Sequence, residues 1–315
     1  MKSPGIEQHP PVAISRSSRL DFSAISIGSD VPAIAARANG RGVVHSSFSR
    51  SLNLLFAKNE IVSVVDHSVG KSPFNVVANF TQELGTFHLK NGDPVRVGSD
   101  SFLIGDSLEI ITRHAERFVS RHDFRSELLD IPGIKENVRD MKKITANFGN
   151  FEGFHFLGTR IRGEVYSLVS SIEKNDLEGI RASCHALLGL GLGLTPSADD
   201  LLSGLMLACH LFTENLNGNM EEIRKVNTAI LHHSAQTTVL SQNYLRHAAV
   251  GNGTDLAQSV VGSLLTAKRG SRRMESATTD LLSVGSTSGT DTAVGILLGS
   301  ILSLRKAGKE MEIRA

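Results

Sequence analysis

Residues 189–204 read Gly189-Leu-Gly191-Leu-Gly193-Leu-Thr195-Pro196-Ser197-Ala198-Asp199-Asp200-Leu-Leu-Ser-Gly204. Three glycines at alternate positions let the backbone turn sharply and approach a ligand closely. Thr195 or Ser197 then offers an N-cap, and Pro196 suits the first helical position. Asp199 and Asp200 fall in the first turn, where negative charge complements the helix dipole. The residues after them are apolar or small, so a helix begins here and runs into a core. Neighbours on a helix diverge by about 100°, so only one of these two carboxylates faces any one site.

The same pattern returns as Val284-Gly285-Ser286-Thr287-Ser288-Gly289-Thr290-Asp291-Thr-Ala-Val-Gly295. Both copies fit Ser-x-x-Asp-x-x-x-Gly, through Ser197, Asp200, Gly204 and through Ser288, Asp291, Gly295. Each Asp can close a capping-box-like arrangement, and each Gly one turn later permits close helix contact. The repeat predicts two similar helix starts related by pseudo-symmetry. Backbone N–H groups at such helix starts, flanked by hydroxyls, suit an oxyanion. On that reading Gly191, Gly193, Thr195, Ser197, Gly285, Ser286, Ser288 and Gly289 cradle a small anionic substrate. Asp199, Asp200 and Asp291 are the catalytic candidates, orienting a polar group of the ligand or holding a divalent metal. The competing reading is two well-capped buried helices with no ligand.

Outward from these motifs, the C-terminal half carries apolar residues at three- and four-residue spacing. The pattern predicts helices over 164–174, 177–188, 199–212, 220–250, 256–267 and 291–304. Thr237, Thr238 and Ser241 form a hydroxyl stripe on the helix predicted over 220–250, either lining the same polar site or making a small-residue seam. Between Gly42 and Thr112 the apolar runs are instead short, β-branched and bounded by turn residues, which suggests an antiparallel sheet or small barrel. The reading is therefore α+β. It comprises an N-terminal extension over 1–40, a β-rich, barrel-like domain over 41–140, and an α-helical domain over 141–315. Arg50 and Lys71 are possible sources of positive charge for a carboxylate or phosphate.

Composition narrows the classes. The 33 Lys and Arg balance 32 Asp and Glu, so bulk charge selects neither nucleic acid nor a membrane surface. The segment before Arg19 does not read as a signal peptide, and no stretch approaches the roughly 18 apolar residues that span a bilayer. Two cysteines, Cys184 and Cys209, build no disulfide framework, which fits a cytoplasmic protein. The twelve histidines fall in no metal-binding spacing, and His185, His210 and His247 read as hydrogen-bonded structural residues. Walker, Rossmann and nucleophile-elbow motifs are missing. The sequence demands no cofactor, and no residue stands out as a nucleophile.

At residues 189–204 the chain resembles a bacterial family with the signature GLGxGLTPSGDDxLxG, whose named member is the AllH subunit of the oxamate carbamoyltransferase of allantoin degradation, a branch of purine catabolism. Ala198 replaces a Gly of the pattern and leaves the carboxylates in place. Thr237-Thr238-Val-Leu-Ser241 and Gly285 to Asp291 resemble later family motifs, and Pro73-Phe74-Asn75 resembles an N-terminal Gly-Pro-Asn element. The resemblance implies a transferase subunit that works with partner chains, moving a carbamoyl group between oxalurate and phosphate to give oxamate and carbamoyl phosphate. It brings Asn75 into the set of ligand-binding candidates. A non-catalytic scaffold or ligand-sensing subunit, and a stand-alone enzyme on another small carboxylate, remain the alternatives.

Overall fold

The computed structural model describes residues 19–124 and 129–309, with the side chain of Arg160 excepted. The N-terminal reading before Arg19 therefore lies outside the described residues. The first region runs β1 (Leu20–Gly28), α1 (Val31–Arg37), β2 (Arg41–Ser47), β3 (Ser51–Leu55), β4 (Ile61–Asp66), β5 (Asn75–Ala78), β6 (Pro94–Val97), β7 (Ser101–Ile104), β8 (Leu108–Ile111) and β9 (Glu116–Phe118). The second contains α2 (Ile131–Phe148), α3 (Glu152–Glu173), α4 (Leu177–Leu187), α5 (Ser197–Asn215), α6 (Met220–Leu231), α7 (Val239–Ala248), α8 (Asp255–Thr266), α9 (Arg272–Leu282) and α10 (Ser288–Lys306). The α+β expectation holds: a barrel comes first and helices follow.

The strands run in the order β5-β4-β3-β2-β6-β7-β8-β1, and pairing of β1 with β5 closes the ring. One edge of β1 serves two partners, with residues 20–23 beside β8 and 26–28 beside β9. Most pairings are antiparallel as expected, while β1–β8, β1–β9 and β4–β5 are parallel. Strand β1 lies within the first forty residues, which the sequence reading set apart as an extension, and α2 straddles the boundary drawn at 140. The inward positions of β1 include Ala24, Ser26 and Gly28, so its alternation carries little apolar signal. Val44, Leu52, Leu54, Val64, Val76, Phe102, Ile104, Leu108 and Ile110 fill the barrel. Burial of β4 extends over consecutive residues Ile61–Val65, because its outer face meets the helical region through Leu240 and Asn243 of α7.

Two helices organise the second region. α5 and α10 are buried around most of their circumference and pack in parallel at a close crossing. A Cβ on Gly295 would lie 2.0 Å from the Leu201 carbonyl oxygen, and one on Gly204 would lie 2.2 Å from that of Thr292. Only glycine admits backbones this close. The remaining helices cover this pair. The helix expected over 220–250 is two helices, α6 and α7, separated by the turn at His232–Thr238. Among the described residues, no helix is long and apolar enough to cross a membrane.

Candidate functional site

The parallel packing of α5 and α10 brings their N-termini together, with Thr195 Oγ1 3.2 Å from Ser288 Oγ. Above them lies a cavity of about 410 Å³ between the two helix starts and the barrel. Asp200, Thr195, Ser286, Thr287 and Ser288 line its helical side, and Asn53, Ser63 and Phe74 line its barrel side. Among the described lining residues there is no Lys or Arg; Asp200 and His247 are the ionisable side chains, with Tyr244.

Asp200 dominates the electrostatics. Burial pushes its carboxyl well above the usual range, and the neighbouring Asp291 and Asp199 push the same way, against the hydroxyls of Ser288 and Thr195. Its Oδ2 is buried without a hydrogen-bond partner. A carboxyl held neutral can donate as well as accept, so Asp200 presents an unspent polar atom at the cavity wall. Asp291, its counterpart, is fully buried beneath the crossing and does not line the cavity. Burial raises it to about 6, moderated by the hydroxyls of Ser197 and Thr287. Both of its oxygens are also without hydrogen-bond partners.

Asp199 turns away and does a different job. Its Oδ1 accepts from the Gly189 N–H at 2.9 Å and its Oδ2 from the Thr237 hydroxyl, so it ties the glycine loop to the segment before α7. Burial raises its pKa, and these donors with Ser241 pull it back. Thr238 is the N-cap of α7: its Oγ1 accepts from Ser241 N–H at 3.1 Å and donates to the Leu194 carbonyl at 2.5 Å. The hydroxyls of 237 and 238 therefore precede a helix instead of striping one, since their capping bonds compete with helix interior geometry. The start of α5 also differs from expectation. Pro196 is its N-cap, no side chain caps it, and Ala198 N–H donates to the Leu190 carbonyl, so the loop folds back onto the helix end.

The expected residues thus divide by location. Gly193, Thr195, Asp200, Ser286, Ser288 and Gly289 border the cavity. Gly191, Ser197, Asp199, Thr237, Thr238, Ser241, Gly285, Asp291 and Asn75 do not. Asn75 is buried and donates to the Gly70 carbonyl at 3.3 Å. Lys71 Nζ pairs with Glu116 at 3.2 Å, away from the cavity. The barrel side of the site escaped the sequence reading. Ser63 donates to Asn53 Oδ1 at 2.7 Å and Asn53 Nδ2 to Ser46 Oγ at 3.0 Å, a polar row across adjacent strands that is buried at Asn53 and Ser63 and half-buried at Ser46. His247 stacks on Phe74 with centroids 4.9 Å apart, and burial pushes its pKa down. The available signal was a polar residue inside each apolar run, Asn53 in 52–55 and Ser63 in 61–65.

Two family models match. One, described as oxamate carbamoyltransferase subunit AllH, covers residues 187–300, and the other, the AllH family N-terminal domain, covers residues 23–117. No solved structure matches the chain. The first span holds both helix starts and the second nearly the whole barrel, so the two walls of the cavity fall within the matched residues. Together the spans exceed half of the 315 residues, and the chain belongs to the AllH family.

Proposed function

We propose that the chain is a carbamoyltransferase subunit in which the cavity receives the amide end of a small substrate of the oxamate and oxalurate type. The observation carrying this reading is Asp200, whose Oδ2 is buried and unpartnered and which lines the cavity between the helix starts and the barrel. A carbamoyl or amide group offers N–H donors and a carbonyl acceptor, and a carboxyl whose protonated form is favoured by burial can both donate and accept. The hydroxyls of Thr195, Ser286 and Ser288 beside the N-terminus of α10 would hold the carbonyl or a phosphate oxygen. No lysine or arginine lines the described cavity, so a substrate with a carboxylate or phosphate lacks its counter-charge here. A partner subunit that closes the mouth and supplies cationic groups would meet that need, in keeping with a family named for one subunit of an enzyme. The chemistry asked of this chain is positioning and electrostatic stabilisation, since no activated nucleophile borders the described cavity.

A second reading, a non-catalytic scaffold, draws on Asp199, Thr238 and the crossing glycines, which all serve packing. Calorimetric titration of oxamate and carbamoyl phosphate separates the two, using the chain alone and co-purified with its partner subunits, with Asp200→Asn beside wild type. The binding reading expects Asp200→Asn to fold normally and weaken affinity about tenfold or more, about 1.4 kcal/mol. Unchanged affinity in a folded variant, or no binding to either chain or complex, would overturn it in favour of the scaffold.

A further inference from the structure

At the far end of α5 from Asp200, three donor atoms converge that have no part in the site above. His210 and Glu214 stand one turn apart on α5, and His122 reaches them from the segment leaving β9. Glu214 Oε2 lies 3.8 Å from His122 Nδ1 and 3.9 Å from His210 Nε2. All three atoms lie within 4.8 Å of one another.

The outer nitrogens determine what the inner ones present. His210 Nδ1 is 3.2 Å from the Ala249 carbonyl oxygen, which can only accept, so Nδ1 carries the proton and Nε2 offers a lone pair. His122 Nε2 donates to Asn252 Oδ1 at 2.7 Å, which leaves a lone pair on Nδ1. Glu214 Oε2 is buried without a hydrogen-bond partner. Three acceptors therefore face one another, an arrangement that is repulsive until a cation joins them. Imidazoles whose outer N–H is tied to an oxygen are the usual form of histidine ligands to metals. The backbone at Gly251 reinforces the cluster. Its φ is +79°, and a Cβ there would lie 2.6 Å from His210 Cδ2 and 3.1 Å from His122 Cε1, so a side chain would push the two rings apart.

We propose that His122 Nδ1, His210 Nε2 and Glu214 Oε2 bind a zinc-class divalent ion, with a further coordination position open to water. Two imidazoles and one carboxylate match zinc and its neighbours, whereas calcium and magnesium take oxygen sets. The observed separations exceed the roughly 3.3 Å between ligands of a tetrahedral site with bonds of about 2.0–2.1 Å, so the side chains draw in slightly on binding. The ion would lock the chain leaving the barrel onto the central helix. Asn215 already docks that segment, accepting from Phe124 N–H at 2.7 Å and donating to the His122 carbonyl at 2.8 Å.

The test uses the full chain stripped with a chelator and titrated with Zn²⁺ and, separately, Co²⁺ at neutral pH. Calorimetry, visible absorption of the cobalt form and thermal melts provide the readouts. One ion per chain at micromolar affinity or better is expected, with cobalt bands of a low-coordinate nitrogen and oxygen site and a higher Tm in the loaded form. His122→Ala, His210→Ala and Glu214→Gln should each weaken binding about tenfold or more. His122→Ala retains the Asn215 clasp, so an unchanged Tm of its metal-free form keeps the result free of misfolding. His185 and His233, whose rings are 4.8 Å apart on the surface, are the competing site. His233→Ala should therefore bind like wild type. No uptake by wild type, or uptake unchanged in His122→Ala and His210→Ala, would overturn the proposal.

Discussion

Asp200 and Asp291 hold the same place in one repeated pattern, yet the first opens on a cavity and the second is enclosed beneath the crossing of α5 and α10. The reason lies in what covers each helix start. On its side away from the cavity the start of α10 is covered by the α2–α3 connection, where Asn150 N–H donates to Thr290 Oγ1 at 2.9 Å and Asn150 Nδ2 to the Ser286 carbonyl at 3.1 Å. A Cβ on Gly153 would meet Ser197 Oγ at 2.2 Å, so α3 presses on this side of the pair without a side chain between. Asp200 emerges on the opposite side, where the barrel stands back far enough to leave the cavity. One motif copy faces open space and the other buries its carboxyl. The repeat therefore specifies the helix crossing, while surrounding elements decide what each carboxylate does.

The crossing is where the two copies should behave alike, and its disruption carries the largest expected effect. Gly295→Val would drive a side chain into the Leu201 carbonyl, 2.0 Å from the added Cβ, and Gly204→Val would do the same against Thr292. Backbone on both sides leaves nothing flexible to yield. Each variant should lose more than about 3 kcal/mol in urea unfolding, or fail to accumulate as soluble protein. A well-folded Gly295→Val protein would show that the two helices can separate, and the shared role of the pattern would be lost.

The carboxylates are where the copies should diverge. Asp291 rises from 3.8 to about 6 because folding buries it, so the folded state holds its proton more tightly than the unfolded chain. The resulting destabilisation is full above about pH 6, declines as pH falls, and vanishes below the unfolded value of 3.8. Asp291→Asn removes that charge and should stabilise the chain by on the order of 3 kcal/mol near pH 8, with almost no gain near pH 4. Urea unfolding of both proteins at the two pH values measures it. A variant that is less stable near pH 8 would show that a cation or a further donor pairs with Asp291, and the contrast with Asp200 would have to be redrawn.

How much of this was legible depends on whether the signal was local. The helix starts are local: glycines, a proline and acidic first turns lie within sixteen residues, so their position and pseudo-symmetry follow from spacing. The strands between residues 42 and 112 are local as well, while β1, whose small inward residues conceal the period, and the three-residue β9 (Glu116–Phe118) fall outside that stretch. The candidate site is not local. Asn53 and Ser63 meet through strand register, and both share a cavity with Asp200 only through docking of the barrel on the helices. His122 and His210 likewise come from distant segments, which is why no histidine spacing announced them. Thr237 and Thr238 misled because a hydroxyl that caps a helix and one that stripes it have the same residue type and nearly the same position.

The smallest effect concerns how each helix start is anchored. The start of α10 follows α9 directly, with Ser283 and Val284 N–H groups bonded to the last carbonyls of that helix. The start of α5 is a longer glycine loop, held by a helix that comes later in the chain through Thr238 and Leu194. Thr238→Val keeps the shape of the side chain but removes both bonds, and loss of an N-cap costs about 1 kcal/mol. The loss should be unevenly distributed. Hydrogen exchange should quicken across residues 190–195 and the first turn of α7, while residues 286–290 keep wild-type protection. Because Leu194 and Thr195 border the cavity, the proposed binding of oxamate should weaken in proportion to that loosening, at most a fewfold. Equal loosening at α5 and α10 would mean that Thr195 and Ser288, 3.2 Å apart, couple the two helix starts more strongly than their separate anchors hold them apart.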